Sequence, residues 1–372
     1  MSFAALDDAL HGGVRDGVFP GAVMLVSRDG EVLFERAVGE RMREPERAPM
    51  HPDVVFDLAS LTKPLATTLA FLQLVALGRV QLDDRLTRFF PSYAVHGKRE
   101  TTFRHLLVHS SGLVAHRPFW KTAAALGRPN FIPSREARAW VWDQIEREVP
   151  EAAPGTHAIY SDLGFIVLGQ AVETLSGMPL DRWCRRRLFG PLGLDSIGFI
   201  DLVKVIAQRI QPEGGMIAAT QRCPWRRRIL CGEVDDENAW LMGGIAGHAG
   251  LFGTARDVDG LATILARAGR GQEGPLPPAL VRQMWTIDPE IPGSTRTPGW
   301  DTPSRKASSA GTQLAGRRLV GHLGFTGTSL WIDLDQRINV VLLTNRGHPR
   351  RDNDRIRALR PVLHDLVWDA LK

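Results

Sequence analysis

The chain is short of cysteine, lysine and tyrosine, and each shortage excludes something. Its three cysteines, Cys184, Cys223 and Cys231, show no Cys-x-x-Cys spacing, so neither a zinc cage nor a disulfide framework is indicated and free thiols are expected. No run of about eighteen apolar residues occurs, so no membrane span is expected. The N-terminal residues, Met1 to Asp8, lack both a basic region and a continuous apolar stretch. As written, the chain is expected in the cytoplasm; a periplasmic or secreted location would require a signal sequence outside it. Arginine dominates the 46 basic residues, with lysine only at Lys63, Lys98, Lys121, Lys204, Lys306 and Lys372. The net charge of +5 is dispersed, and the clusters Arg185-Arg186-Arg187 and Arg226-Arg227-Arg228 are short and far apart. They read as solvated surface, so no nucleic-acid partner is expected.

What is present describes a globular chain of 372 residues, 44% hydrophobic and 23% charged, sized for one large domain or two moderate ones. Leu6 to Val14 reads as an amphipathic helix. Two apolar runs follow, Ala22 to Val26 and Glu31 to Phe34, and the Asp29-Gly30 pair between them signals a β-hairpin. Strand-like runs return at Arg318–Val320, Ser329–Ile332 and Ile338–Leu343, before a closing helix over Arg355 to Leu371. Between these ends the periodicity is helical, over Leu61–Leu77, Phe103–Val108, Ala137–Val149, Leu163–Leu175 and Val258–Ala268. This order predicts an α+β fold: an antiparallel sheet assembled from both termini, flanked by helices, with a mainly helical domain inserted. The expected division is 1–58 with 250–372 for the sheet domain and 59–249 for the helical one, the active site at their interface. Gly293 to Gly316, rich in Pro, Ser, Thr and Gly, is expected to be a long loop bordering that site.

Three short patterns carry chemistry. Ser60-Leu61-Thr62-Lys63 stands where a helix begins, and positions i and i+3 share a face, so Ser60 Oγ and Lys63 Nζ are expected to meet. A hydroxyl becomes a useful nucleophile when a neighbouring group takes its proton. Taken singly, the pattern reads equally well as an N-cap and a solvated lysine. Tyr160-Ser161-Asp162 precedes another helix; a phenol near an ammonium can shuttle protons, although a packing tyrosine before a capped helix is the commoner case. Gly321 to Ser329 is a glycine-dense turn between two strands, a place where a ligand can approach backbone N–H groups, or a simple bulged hairpin.

Taken together and in this order, the three patterns resemble the Ser-x-x-Lys, Tyr-x-Asn and Lys-Thr-Gly elements of the serine β-lactamase and penicillin-binding-protein superfamily. Thr102 to Leu113, Gly243 to Phe252 and Gly299 to Pro303 resemble segments of the branch holding class C β-lactamases, family VIII esterases and D-aminopeptidases. The likeness runs from about Val14 to Asn345. It implies that Ser60 is the acylated nucleophile, that Lys63 and Tyr160 share the acid and base work, and that the backbone N–H groups of Ser60 and Phe325 form the oxyanion hole. It further implies substrate contacts from Asp162, His322, Leu323 and Gly324, with His248 and Trp300 as additional candidates. Two departures stand out: Asp162 replaces the usual Asn, and His322-Leu323-Gly324 replaces Lys-Thr-Gly. Both alter how a substrate carboxylate is held and point away from efficient β-lactam hydrolysis.

The expected function is therefore a serine hydrolase working through an acyl-enzyme, best read as an esterase on small acyl esters. The alternatives are a β-lactamase or a D-amino-acid peptidase and, in another class, a non-hydrolytic ligand sensor on the same fold. The expected partners are a small ester, a β-lactam or a short D-amino-acid peptide; no oligomeric state is read from the sequence. No cofactor is expected. No metal is expected either: His105 and His109 lie four apart but lack the Glu of a His-Glu-x-x-His pattern. His322 is expected to titrate between about pH 5 and 8.

Overall fold

The structure, a computed structural model, describes residues 2–126, 133–208, 216–291, 293–304 and 308–372. The N-terminal helix α1 spans Ala4–Arg15, and its chain continues into strands β1 (Gly21–Arg28), β2 (Glu31–Met42) and β3 (Ala48–Pro49). At the β1–β2 turn Asp29 and Gly30 both adopt positive φ, 49° and 87°, as a two-residue turn matched to strand twist requires. The C-terminal part supplies β4 (Arg296–Thr297), β5 (Trp300–Asp301), β6 (Leu319–Leu323), β7 (Ser329–Asp333) and β8 (Ile338–Thr344). These eight strands form one antiparallel sheet in the order β3-β2-β1-β8-β7-β6-β5-β4, joined across the termini by β1 and β8. The expected loop at 293–316 thus contains the edge hairpin of the sheet, while its residues 305–307 lie outside the described residues.

Side chains alternate across the central strands, and both faces are covered. Ala22, Met24, Val26, Val340 and Leu342 pack with α1 and the closing helix α5 (Ile356–Ala370). Val23, Leu25, Val341 and Leu343 join the larger core on the opposite face, where α4 (Ala255–Gly269) contacts β1 and β8. Burial on both faces explains why these strands read as continuous apolar runs. A three-stranded sheet pairs Leu251–Gly253 with Phe56–Asp57 and with Gly198–Phe199, so strands from both sides of the expected domain boundary meet there.

The helix expected over Leu61–Leu77 is not uniform. It opens as a 3₁₀ turn, Ala59–Leu61, widens to a π-helix over Lys63–Thr68, and becomes the α-helix α2 only at Leu69–Ala76. Pro64, which has no N–H to donate, sits in the first turn of the widened segment. Helix α3 spans Asp162–Ser176, with Ser161 as N-cap accepting from the Gly164 N–H at 3.3 Å and Gly177 closing it in the left-handed region. Nine of its residues are buried, which accounts for its apolar composition. Among the described residues no single helix is long and apolar enough to cross a membrane.

Candidate active site

The turn that carries Ser60 is built from a buried carboxylate. Asp57 Oδ1 accepts the Ala59 N–H at 2.8 Å and Oδ2 accepts the Asp235 N–H at 2.6 Å. Burial pushes the Asp57 carboxyl up to about 7; the two backbone bonds oppose this, and the nearby Asp235 charge adds to it. Ala59 is held at φ 47°, a left-handed conformation that costs a non-glycine residue energy and persists only because its surroundings fix it. The β6–β7 turn is tied to the same segment. Thr326 Oγ1 donates to the Asp57 carbonyl at 2.7 Å, and Thr328 Oγ1 to the Leu58 carbonyl at 3.1 Å. Gly324 makes this approach possible: a Cβ there would lie 2.0 Å from Thr328 Oγ1 and 2.6 Å from the Leu58 carbonyl. The backbones of Ser60 and Phe325 are thereby locked to each other, the arrangement an oxyanion hole needs.

Lys63 is fully buried and its ammonium is satisfied on three sides. Nζ lies 3.0 Å from Ser60 Oγ, 3.0 Å from the His248 carbonyl and 2.8 Å from Asp162 Oδ1. Burial alone would lower its pKa; the Asp162 charge, with Tyr160 adding to it, outweighs burial and pushes it up to about 12. The pull is mutual. Burial would raise the Asp162 carboxyl, yet the Lys63 charge and a hydrogen bond to His116 hold it far below the usual carboxylate range. The Asp162 carboxylate thus favours the ammonium form of Lys63, which donates to Ser60 Oγ.

Tyr160 lies beside this pair. The Lys63 ammonium sits 5.0 Å from its ring centroid and the Arg296 guanidinium 5.1 Å from it. The His109 ring packs against it at 4.5 Å, and His109 Nδ1 accepts the Ser161 N–H at 3.0 Å. Burial, with the charges of Arg296 and Lys63, keeps His109 well below its usual pKa, so it is a neutral packing partner. His105 uses Nδ1 to accept the Thr102 N–H in a helix-capping box. Each of the two histidines considered for a metal thus serves the backbone.

Ser60, Tyr160, Asp162, His248, His322, Leu323, Gly324 and Phe325 all line one cleft of about 740 Å³. Ser60, Lys63 and Tyr160 meet at its floor, with Lys63 beneath the surface. A scan against protein-family models matches the family described as Beta-lactamase over residues 6–364. The chain belongs to the β-lactamase family. It is 31% identical over 359 residues to an Escherichia coli K12 protein named "Putative D-alanyl-D-alanine carboxypeptidase", covering 89% of this chain and 79% of that one. Among solved structures, EstCE1, described as a hydrolase with promiscuous acyltransferase activity, superposes with TM-score 0.73 at 24% identity over 96% of this chain and 98% of the other. The octameric penicillin-binding protein homologue from Pyrococcus abyssi superposes with TM-score 0.71 at 22% identity, over 98% and 78% of the two chains. Both share the fold.

Within this β-lactamase-family site, two expectations are corrected. Trp300 does not line the cleft; it is 1% exposed and packs edge-on against Trp285, because its β5 position faces the core. Its neighbour Asp301 and the preceding strand's Arg296, paired at 3.2 Å, face the cleft instead. His322 does not titrate near neutrality: burial, then the charges of Lys63 and Arg296, push it down to about 3. Its Nδ1 lies 2.8 Å from the Leu323 carbonyl and its Nε2 has no partner. The cleft also holds His116, which sequence reading missed and whose pKa is raised. Its Nδ1 is 3.6 Å from Asp162 Oδ2, and this contact, reinforced by the Asp236 and Glu237 charges, outweighs burial and raises its pKa. His248 is a strut as well as a wall. Its carbonyl holds Lys63, and its Nε2 lies 2.9 Å from Asp236 Oδ1, drawing that carboxyl down to about 2 against the effect of burial.

Proposed function

We propose that this chain is a serine acyl-hydrolase that forms a covalent acyl-enzyme on Ser60 and acts on small acyl esters. The observation that carries the reading is the 3.0 Å contact between Lys63 Nζ and Ser60 Oγ beside the locked Phe325 turn. Ser60 Oγ attacks the carbonyl carbon as its proton passes to the Tyr160 oxygen and the Tyr160 hydroxyl proton passes on to the leaving-group oxygen, so the bond to the leaving group breaks as the Ser60 ester forms; the backbone N–H groups of Ser60 and Phe325 take the developing oxyanion. The Lys63 ammonium fixes Oγ and steadies the Tyr160 oxygen during this relay. Water then attacks the acyl carbon, its proton returning through Tyr160 to Ser60 Oγ, and the acid is released.

The carboxylate at Asp162 gives this site a feature that an Asn cannot. It favours the charged form of Lys63, which supports Tyr160 as the proton relay. A second reading, hydrolysis of peptides ending in D-alanyl-D-alanine, is favoured by the name carried by the Escherichia coli relative. Turnover assays with p-nitrophenyl esters, a D-alanyl-D-alanine peptide and a chromogenic cephalosporin separate the readings. The ester should be consumed fastest by the wild type and not at all by Ser60→Ala. A Ser60→Ala variant as active as wild type overturns the proposal, and preferential release of D-alanine selects the second reading.

A further inference from the structure

The charges lining the cleft are unevenly matched. Near Ser60 the buried or half-buried lysine and arginine each have a carboxylate: Lys63 has Asp162 and Arg296 has Asp301. Arg351 is held by Glu237 and lies 3.7 Å from Asp235. Beyond Phe325 the pattern breaks. Arg346, Arg357 and Arg360 line the same cleft, and among the described residues none of them has a carboxylate within ion-pair distance. Arg346 spends its donors on backbone carbonyls, those of Phe325 at 2.9 Å, Arg351 at 3.3 Å and Asn353. Its guanidinium also lies 4.6 Å from the centre of the exposed Phe325 ring.

Arg360 is the exceptional member. It is 4% exposed, on α5, and among the described residues its Nε has no hydrogen-bond partner. The next turn of the same helix offers only His364, itself fully buried with neither ring nitrogen partnered. Burial, with the Arg346 charge beside it, draws the Arg360 pKa down to about 10, which still leaves it charged at neutral pH. An isolated buried guanidinium loses its hydration and is destabilising unless an anion meets it. Asp235 and Glu237, which line the same cleft, pair with Arg351 instead, and Arg360 itself borders the cleft.

We propose that Arg346, Arg357 and Arg360 form an anion-binding subsite that receives a carboxylate or phosphate group at the end of the substrate remote from the scissile bond. A guanidinium fork fits either anion through paired N–H donors. The inference deepens the acyl-hydrolase reading by naming a substrate class, esters with an anionic tail, and rests on that reading for the position of the reacting bond.

Two measurements keep the inference and that reading apart. In the first, Ser60→Ala protein is titrated calorimetrically with glutarate and with inorganic phosphate at low salt. Saturable one-to-one binding is expected, weakened about tenfold or more when Arg360→Met or Arg357→Gln is added. Binding of glutarate alone or of phosphate alone identifies the anion and supports the subsite. The Arg360→Met protein should also unfold at a higher temperature than its parent, because an unpaired buried charge has been removed; the exposed Arg357 supplies a second test if Arg360→Met fails to fold. No saturable binding, or binding unchanged in both variants, overturns the subsite whatever the enzyme does. In the second, the wild type should prefer the p-nitrophenyl hemiester of glutarate over the uncharged valerate in kcat/KM by about tenfold or more, with the preference reduced in both variants. Equal use of the two esters contradicts the subsite; turnover of neither contradicts the hydrolase reading and leaves the calorimetric result standing.

Discussion

Lys63 Nζ lies 2.8 Å from Asp162 Oδ1 in a setting where the lysine is fully buried and the carboxylate half-buried at the cleft wall. That pair decides which residue can act as a base, and its electrostatics can be measured through stability. In the wild type the Lys63 pKa is raised to about 12, above the unfolded value, so the stability it contributes is complete below about 10.4 and lost as pH rises through about 12. The Asp162 carboxyl is depressed, so its contribution is present above about 3.9 and lost as pH falls. In Asp162→Asn, burial prevails at Lys63 and its folded pKa drops. Denaturant unfolding at pH 7 should show a loss of about 3 to 5 kcal/mol. Between about pH 8 and 10.4 the variant's stability should rise with pH where the wild type's stays level. Identical slopes would show that the pair does not set the Lys63 charge.

The division of labour between Lys63 and Tyr160 predicts separate kinetic effects. Tyr160→Phe removes the proton carrier and should lower kcat about 100-fold or more. Lys63→Ala removes the charge that balances it and should cost at least as much. Steady-state kinetics on one ester checks both, and near-normal turnover in either variant refutes the role given to that residue.

Two histidines at the cleft should behave oppositely. His116→Gln should flatten the pH dependence of kcat/KM above the ordinary histidine value of about 6.5, since Asp162, Asp236 and Glu237 face His116 and raise its pKa. His322→Gln should leave that region unchanged, because His322 is neutral above about 3. Its depressed pKa has a stability consequence: the unfolded chain binds the proton first, so stability is lost as pH falls from about 6.5 toward 3, and His322→Gln should reduce that acid lability. A neutral-pH limb that disappears with His322 instead of His116 would reverse the assignment.

Gly324 tests the geometry without touching a titratable group. Gly324→Ala places a methyl 2.0 Å from Thr328 Oγ1, so β6 must move away from the Ser60 turn. We expect about 1 to 3 kcal/mol of destabilisation, typical of overpacking, and a fall in kcat larger than the change in KM. Unchanged kinetics would mean that the spacing between Leu58 and the β6–β7 turn is not critical.

The sheet, its terminal assembly and most helices were legible because hydrophobic period and turn chemistry are local: Asp29-Gly30 marks a hairpin whatever lies elsewhere. The Ser60–Lys63 contact was legible for the same reason, one helical turn of spacing. What escaped depends on contacts distant in sequence. The π-widening after Pro64 and the positive φ of Ala59 leave no periodic trace. His116 and Arg296 acquire meaning only through Asp162, Tyr160 and Asp301, and Arg360 only through the absence of a partner among the described residues. His322 was misjudged because burial and two neighbouring cations, invisible in a local reading, fix its charge. Trp300 was misplaced because strand β5 turns it inward and presents Asp301 to the cleft.

The central claim is that Ser60 carries an acyl group during turnover. Rapid-quench intact mass spectrometry with p-nitrophenyl butyrate tests it most directly, with peptide mapping of any adduct. The account predicts a transient gain of one butyryl group located on Ser60, prolonged in Tyr160→Phe and absent in Ser60→Ala. An adduct on another residue, or hydrolysis by Ser60→Ala at the wild-type rate, would contradict it.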